Sequence, residues 1–323
     1  MRIRFLSVSA ALLSSAVPAL SQLTVPPLRA HHSLVYDEAN KRVMLWGGST
    51  PLEGGRSFAF FNDFWGFDGS RWQAISESGE KRSGVRLVYD SKRSRIVSFG
   101  GYNGMSLPDF RTFDGKDWLT ISQHPETGAA EPGFVFDSQR DRFVMFGGSA
   151  GRGTALGETW EFDNTRWHKV AVPGPSPRQA HVMVYDEKRG RTVLFGGMGS
   201  GSPGQPPPTS GDTWEYDGSF WVQKQVTGPS PRHSAGAAYD SKRGLLILFG
   251  GAGADGFVGD TWSWDGTTWK KLADTGPEPR AMGYLAYDSN RDRVVLFGGR
   301  KGWPDGDLND TWEWDGTSWK KIQ

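Results

Sequence analysis

The 323-residue chain contains no cysteine, which excludes disulfide bonds, thiolate metal sites and cysteine nucleophiles. Charge of one sign is not in excess either, because 37 Lys and Arg face 36 Asp and Glu for a net charge of +1. A protein that follows a phosphate backbone needs a basic excess, so we expect no nucleic-acid partner. Beyond the N-terminal segment, no apolar run approaches the length of a membrane span. We therefore expect no membrane span in the mature protein.

Glycine and tryptophan, in contrast, are abundant, with 44 and 15 residues respectively. Glycine is costly inside helices, which argues against a helical bundle. It supplies positive φ in turns, and aromatic rings fill the faces of sheets. The composition therefore favours an all-β protein with many turns.

The N-terminal segment, residues 1–21, has the pattern of an export signal. Arg2 and Arg4 precede a mostly apolar run, and small residues predict cleavage after Ala19 or Ser21. A membrane anchor is the alternative, but the run is short and contains several serines and a proline. We expect an exported protein, periplasmic or extracellular, whose mature part begins at residue 22.

Six repeats make up the rest of the chain. In each repeat an aromatic-Asp pair leads to an apolar run that ends in Gly-Gly, and an Asp-Gly turn then leads to a closing tryptophan. Successive Gly pairs lie 47 to 54 residues apart and begin at Gly47, Gly100, Gly147, Gly196, Gly250 and Gly298. The closing tryptophans are Trp72, Trp118, Trp167, Trp221, Trp269 and Trp319. A period of about fifty residues is typical of a kelch-type propeller.

Each repeat parses into four short strands, A to D, so the sequence predicts one six-bladed β-propeller over 22–323. The predicted blades are approximately 27–75, 80–121, 127–170, 176–224, 230–272 and 278–322. The Gly pairs, the strand C aromatics and the strand D tryptophans resemble the kelch repeat family, including the propeller domain of galactose oxidase. The resemblance implies that strand A lies innermost. Because the repeats start at strand A and end at strand D, we expect no blade built from both ends of the chain. Leu23–Pro26 could add a short clasp to the ring.

The resemblance does not predict an activity, because kelch propellers include enzymes, sugar binders and protein-interaction platforms. Galactose oxidase activity is excluded, since that chemistry needs a cysteine–tyrosine crosslink and this chain has no cysteine.

The two faces of the predicted propeller differ. The A–B and C–D turns on one side, the turn face, are short and uniform. The B–C loops on the other side, the loop face, vary from 7 to 14 residues. Variable loops on a rigid scaffold often carry specificity. Aromatic residues outside the repeat pattern lie in these loops, and we predict that Tyr102, Phe257 and Trp303 contact a ligand.

Strand A is predicted to begin near the central channel on the loop face. Five repeats have an arginine there, namely Arg29, Arg82, Arg178, Arg232 and Arg280. These arginines either bind a carboxylate or acidic sugar, or hold the blade together through loop carbonyls. Arg86 and Tyr284 occupy one strand A position where other blades have small or apolar residues, and we predict that both contact a ligand.

Metal and cofactor motifs are weak. Asp305, Asp307 and Asn309 have the alternating oxygen ligands of a calcium loop, but the later positions depart from it. We predict no cofactor.

Two functions remain open. The first is a non-catalytic exported module, a monomer, that binds a glycan or a protein through its loop face. The second is a sugar-active enzyme of mutarotase or epimerase type acting on an acidic or neutral sugar, as in similar periplasmic kelch proteins. Its catalytic residues would be chosen from Arg82, Arg86, Glu131, His32 and His181.

Overall fold

The protein is a six-bladed β-propeller in which each blade is a four-stranded antiparallel sheet. The computed structural model describes residues 20–126, 128–151, 153–202, 204–303 and 306–323. Most of the predicted export signal, residues 1–19, lies outside the described residues. In the described part, no helix is long and apolar enough to cross a membrane.

The strand order within every blade is A-B-C-D, and all four strands of a blade come from one continuous stretch of chain. The A strands are Ser33–Asp37, Arg86–Asp90, Gly133–Asp137, Val182–Asp186, Gly236–Asp240 and Tyr284–Asp288. The B strands are Arg42–Trp46, Arg95–Phe99, Arg142–Phe146, Arg191–Phe195, Leu245–Phe249 and Arg293–Arg300. The C strands are Asp63–Phe67, Asp109–Phe113, Thr159–Phe162, Thr213–Tyr216, Thr261–Trp264 and Asp307–Trp314. The D strands are Trp72–Glu77, Trp118–Gln123, Trp167–Val170, Trp221–Lys224, Trp269–Ala273 and Trp319–Lys321.

This architecture confirms the predicted fold, including the six blades, and it is consistent with a kelch-type propeller. Two short hairpins decorate the loop face, Ser49–Pro51 with Phe58–Phe60 and Ala252–Gly253 with Gly256–Phe257. Two 3-10 turns, Leu20–Gln22 and Glu53–Gly55, complete the regular structure.

Local sequence explains the sheets. The last four residues of each short B strand are buried, as expected for an apolar strand packed on both faces. The C–D turn is fixed by its aspartate, since the Asp265 carboxylate accepts the backbone N–H groups of Thr267 and Thr268 at 2.7 and 2.8 Å. Gly266 follows at φ 98°, a conformation that favours glycine.

The closing tryptophans join neighbouring blades. Trp221, Trp269 and Trp319 each donate their indole N–H to the threonine of the Asp-Thr-Trp or Glu-Thr-Trp motif in the preceding blade, at 2.8 to 2.9 Å. Trp72 of blade 1 makes the same bond to Thr311 of blade 6, which closes the ring. Phe64 and Phe110 replace that threonine in blades 1 and 2. Consequently the indole N–H groups of the next tryptophans, Trp118 and Trp167, have no partner within the described chain.

The segment before the first blade packs at the same junction. Leu23 and Val25 lie against a buried cluster that contains Trp65 and Trp72 of blade 1 and Phe297 of blade 6. Leu20 of the preceding 3-10 turn joins this cluster. The segment thus covers the boundary between the first and last blades.

Candidate functional site

A closed ring of six residues surrounds the channel on the loop face, one just before each A strand. We call it the left-handed ring, because all six have positive φ, between 51° and 62°. Its members are His31, Gly84, Glu131, Ala180, Ser234 and Met282. Each donates its backbone N–H to the carbonyl of the equivalent residue in the preceding blade at 2.7 to 3.3 Å. The bond from His31 to Met282 closes the circle, so the ring rigidly positions its side chains around the channel mouth.

The arginines predicted from the repeat lie two residues before the left-handed ring, and we call them the arginine ring. They are Arg29, Arg82, Arg178, Arg232 and Arg280, each no more than 2% exposed. Every guanidinium binds the aspartate at the start of strand C in its own blade at 2.5 to 2.9 Å. Each also donates to the carbonyl of the first residue of the Gly pair at 2.9 to 3.1 Å. These contacts match the structural alternative of the two interpretations, and the arginine ring does not line the pocket described below.

Blade 3 departs from this scheme at both partners. Ala129 replaces the arginine, and Glu158 stands where the other blades have the aspartate. Without a buried guanidinium to bind, Glu158 instead pairs with Lys169 on the surface at 3.2 Å. The joint departure shows that the arginine and the aspartate serve each other.

His31 and Glu131 form a hydrogen-bonded pair inside the left-handed ring. His31 Nδ1 lies 2.5 Å from Glu131 Oε1, although the two residues belong to blades 1 and 3. Between them lies Gly84 of blade 2, where a Cβ would approach Glu131 Cγ to 3.0 Å. The glycine therefore leaves room for the pair to form. The side chains are 22% and 12% exposed, so both reach the pocket above.

Charges around Glu131 keep it ionised. Burial alone would raise the pKa of this carboxyl. The charge and hydrogen bond of His31, with a smaller contribution from Arg86, outweigh burial and lower the pKa to about 2. Glu131 is thus a carboxylate at any physiological pH.

Arg86 and Tyr284, which share one strand A position, meet across the channel one level deeper. Arg86 Nη1 donates to the Tyr284 hydroxyl at 2.7 Å, and its Nε donates to the carbonyl of Pro132 at 2.8 Å. The guanidinium carbon also lies 4.9 Å from the centre of the Tyr284 ring. Burial raises the pKa of Tyr284, so the phenol stays neutral. The pair lies between the loop-face pocket and a second cavity on the turn face, and it lines neither.

The other histidines at the channel mouth are uncharged. Burial, followed by the charge of Arg29, lowers the pKa of His32 well below its usual value. Burial and Arg178 do the same for His181, whose ring packs against Gly133. The pKa of His233 is also lowered by burial. His32 and His181 are therefore buried behind the pocket, whereas His31 lines it.

The loop-face pocket has a volume of about 280 Å³ and lies over blades 1 to 3, with Gln179 of blade 4 at its edge. Phe58, Phe60 and Tyr102 form its aromatic wall. His31 and Glu131 line its floor, and the remaining polar lining comes from Ser49, Ser83, Ser149 and Gln179. The ring centres of Phe60 and Tyr102 are 6.2 Å apart, which makes the wall continuous across two blades.

The predicted aromatic contacts fall in different places. Tyr102 lines the pocket, and Trp303 lies beside it, with its ring centre 5.8 Å from that of Phe58. At 61% exposure, Trp303 is available to a ligand at the pocket edge. Phe257 lies apart, on the blade 5 hairpin next to Glu278 and Lys301.

The weak calcium motif has other partners. Asp307 belongs to an extended strand C and binds Arg300 through both carboxylate oxygens, at 2.6 and 3.1 Å. Asn309 lies in the same strand, and Asp305 lies outside the described residues. No cluster of three or more His, Asp or Glu suited to a metal occurs in the part of the chain that the structure describes.

His31 was recognised in the sequence as lying where a strand A begins, but it was not selected as a site residue. It occupies the same repeat position as Glu131, two residues after the arginine position. That shared register was the available signal, because equivalent positions in a propeller lie on one circle around the channel.

Comparisons with known proteins do not assign this chain to a family. No family model matches the chain. A 96-residue stretch is 31% identical to the dynein regulatory complex subunit 7 of Chlamydomonas reinhardtii. The match covers 28% of this chain and only 8% of that protein, so the chain spans a small part of the curated relative it matches.

Proposed function

We propose that this protein is an exported, non-catalytic carbohydrate-binding propeller whose loop-face pocket holds one sugar unit of a glycan. A β-propeller is a common binding scaffold, so the fold is compatible with this role. The observation that carries the proposal is the pairing of an aromatic wall with a polar floor in one pocket.

Sugars match this chemistry because they present both C–H faces and hydroxyl groups. The faces would pack on Phe60 and Tyr102, and Trp303 would extend the contact to a neighbouring sugar unit. Hydroxyl groups would bond to Ser83, Gln179 and the free atoms of the His31–Glu131 pair. A volume of about 280 Å³ is of the size of a small-ligand pocket.

The state of Glu131 supports binding rather than catalysis. A general base works best with a pKa near the operating pH, whereas Glu131 has a pKa of about 2. Arg86 also points at Tyr284 and the Pro132 carbonyl rather than into the pocket, which does not favour it as a charge stabiliser.

A glycan array followed by calorimetry tests the proposal on the mature protein. Phe60→Ala and Tyr102→Ala should each weaken the affinity for the best glycan about 5- to 30-fold, the size of a stacking contact. Lys188→Ala on the turn face is the matched control and should change nothing, with thermal melts to verify folding. Binding that is lost with Lys188→Ala but kept in both aromatic variants would contradict the proposal, and so would a protein ligand found in place of any glycan.

Export forms a separate part of the proposal and rests on the N-terminal pattern alone. Intact-mass analysis of protein purified from its native host should show a chain that starts after Ala19 or Ser21. A retained Met1 in a cytosolic fraction would contradict export and leave glycan binding untouched.

One observation favours the enzyme alternative. With a proton on Nδ1 bonded to Glu131, His31 would keep Nε2 as a proton acceptor, which is the arrangement of a carboxylate-oriented general base. Nε2 would take the proton of a sugar's anomeric hydroxyl while the C1–O5 bond breaks, and the ring oxygen would take a proton from water. Anomer exchange followed by NMR tests this function: acceleration that His31→Gln abolishes would establish it, and an unchanged rate with a bound sugar would reject it.

A further inference from the structure

We infer that the sugar unit held in the loop-face pocket carries a positively charged amino group, which faces Glu131 and the aromatic wall. The inference rests on the proposed carbohydrate-binding function and narrows its ligand to amino sugars with a free amine.

The charges that line the pocket give the first reason. Glu131 contributes the only carboxylate among the lining residues. Within the described chain the one basic side chain that lines the pocket is His31, and neither lysine nor arginine does. His31 takes only Oε1 of that carboxylate, and no hydrogen bond to Oε2 occurs among the described residues. One carboxylate oxygen therefore remains for a donor that enters from the pocket, and an ammonium group offers three such donors.

The aromatic wall gives the second reason. Cations are attracted to the faces of aromatic rings within about 6 Å of the ring centre. Tyr102 pairs with Ser83 through both backbone groups, and Ser83 adjoins Gly84, on which Glu131 packs. Tyr102 and Glu131 are thus neighbours on one side of the pocket, and Phe60 lies next to Tyr102. The rings and the carboxylate thus line one pocket, and this is the combination of groups that recognises ammonium groups.

Arg300 and Arg86 do not oppose this arrangement from within the pocket, because neither lines it. Arg300 lies behind Phe58 and Trp303, 5.9 and 4.9 Å from their ring centres, and it is 3% exposed. Its charge is balanced by Asp307. Arg86 lies a level deeper and is held by Tyr284 and Pro132. An anionic sugar, in contrast, would place a second carboxylate against Glu131, which is unfavourable in a half-buried site.

Calorimetry with three oligosaccharides of equal length tests the inference. The probes are a β-1,4-glucosamine oligomer, its fully N-acetylated counterpart and a galacturonate oligomer, all at about pH 5 so that the amine is charged while Glu131 stays ionised. The free-amine oligomer should bind at least about tenfold tighter than the acetylated one, because a charge-assisted bond is lost on acetylation. The galacturonate oligomer should bind weakest.

Two variants locate the effect. Glu131→Gln should reduce the preference for the amine to within about threefold, because the amide keeps the shape of the carboxylate and loses its charge. Phe60→Leu keeps an apolar contact without a π face. It should weaken the affinity for the free-amine oligomer more than the affinity for the acetylated one. Glu38→Gln, an exposed carboxylate on the turn face, is the matched control and should leave the preference intact.

The outcomes separate the two proposals. Equal or tighter binding of the acetylated or galacturonate oligomer would overturn the amino-sugar inference and leave carbohydrate binding standing. An unchanged preference in both folded variants would overturn it as well. The absence of binding to every glycan on the array would contradict the proposed function, and the inference with it.

Discussion

The arginine ring and the left-handed ring lie two residues apart along the same segment of each blade, yet they differ in almost every property. The arginine position is occupied by one residue type in five of six repeats, and its side chains are buried in bonds within their own blade. The left-handed ring has six different residue types, and two of them form a pair across blades that lines a pocket.

This contrast separates scaffold from site. A position that repeats must satisfy the same contacts six times over, as each buried arginine does with its aspartate and its glycine carbonyl. In the left-handed ring, the backbone alone makes the repeated contact, through the circle of N–H to carbonyl bonds. Its side chains are therefore free to differ, and that freedom allows one circle to hold both a histidine and a glutamate.

The largest expected loss of stability comes from a substitution in the arginine ring. Arg232→Ala removes a guanidinium that is 2% exposed and leaves Asp260 without its main partner. Breaking a buried ion pair in this way costs about 3–5 kcal/mol of unfolding free energy. Ser234→Ala, two residues on in the left-handed ring, should cost about 1 kcal/mol or less, since it removes one hydroxyl bonded to His233.

Urea denaturation of both variants measures this difference. Similar losses in the two proteins would mean that the arginine ring is no more structural than its neighbour, and the contrast between the rings would fail.

The same contrast explains what could be read from the sequence. The Gly pairs, the Asp-Gly turns and the closing tryptophans recur six times, and they predicted the blades because each encodes a local turn or a repeated contact. The aspartate partners of the arginine ring could also have been predicted from the sequence, because Ala129 and Glu158 depart from the pattern in the same repeat.

Side-chain pairs that occur only once in the propeller could not be predicted from the repeat pattern. His31 and Glu131 are 100 residues apart, and Arg86 and Tyr284 are 198 apart. Whether such pairs meet depends on channel width and on which side chains fill the intervening blade, here Gly84 and Ser33. The shared register of Arg86 and Tyr284 indicated a common level in the channel, but their direct contact emerges only from the folded ring.

A second prediction concerns the pH dependence that Glu131 confers. Its pKa in the folded protein, about 2, lies below the usual 4.5. The lowered pKa therefore contributes stability that is fully present above about pH 4.5 and is lost as the pH falls toward 2. We expect wild type to exceed Glu131→Gln in unfolding free energy by roughly 3 kcal/mol at neutral pH.

Denaturant titrations of both proteins at about pH 7, 4 and 3 measure this difference in unfolding free energy. The two proteins differ in one titrating group, so the difference reports on Glu131 alone. The gap should narrow at the lower pH values. A difference that stays constant over this range would show that the pKa of Glu131 is not lowered in the folded protein.

The smallest expected effect lies within the left-handed ring and compares its one glycine with an alanine. Gly84 has φ 62° and Ala180 has φ 54°, so both hold the same backbone conformation. A side chain in that conformation costs about 1 kcal/mol relative to glycine. Gly84→Ala adds this cost and also brings a methyl group to about 3.0 Å from Glu131 Cγ, so it should destabilise the protein by roughly 1–2 kcal/mol.

Ala180→Gly relieves the same strain but removes a buried methyl group and loosens the unfolded chain, so it should lie within about 0.5 kcal/mol of wild type. Only Gly84→Ala should also weaken the affinity for the glycan, because this substitution alone displaces Glu131. Thermal unfolding and calorimetry on the two variants check both statements. If Gly84→Ala binds the glycan as wild type does, the glycine is required by the backbone circle alone, and the placement of Glu131 owes nothing to it.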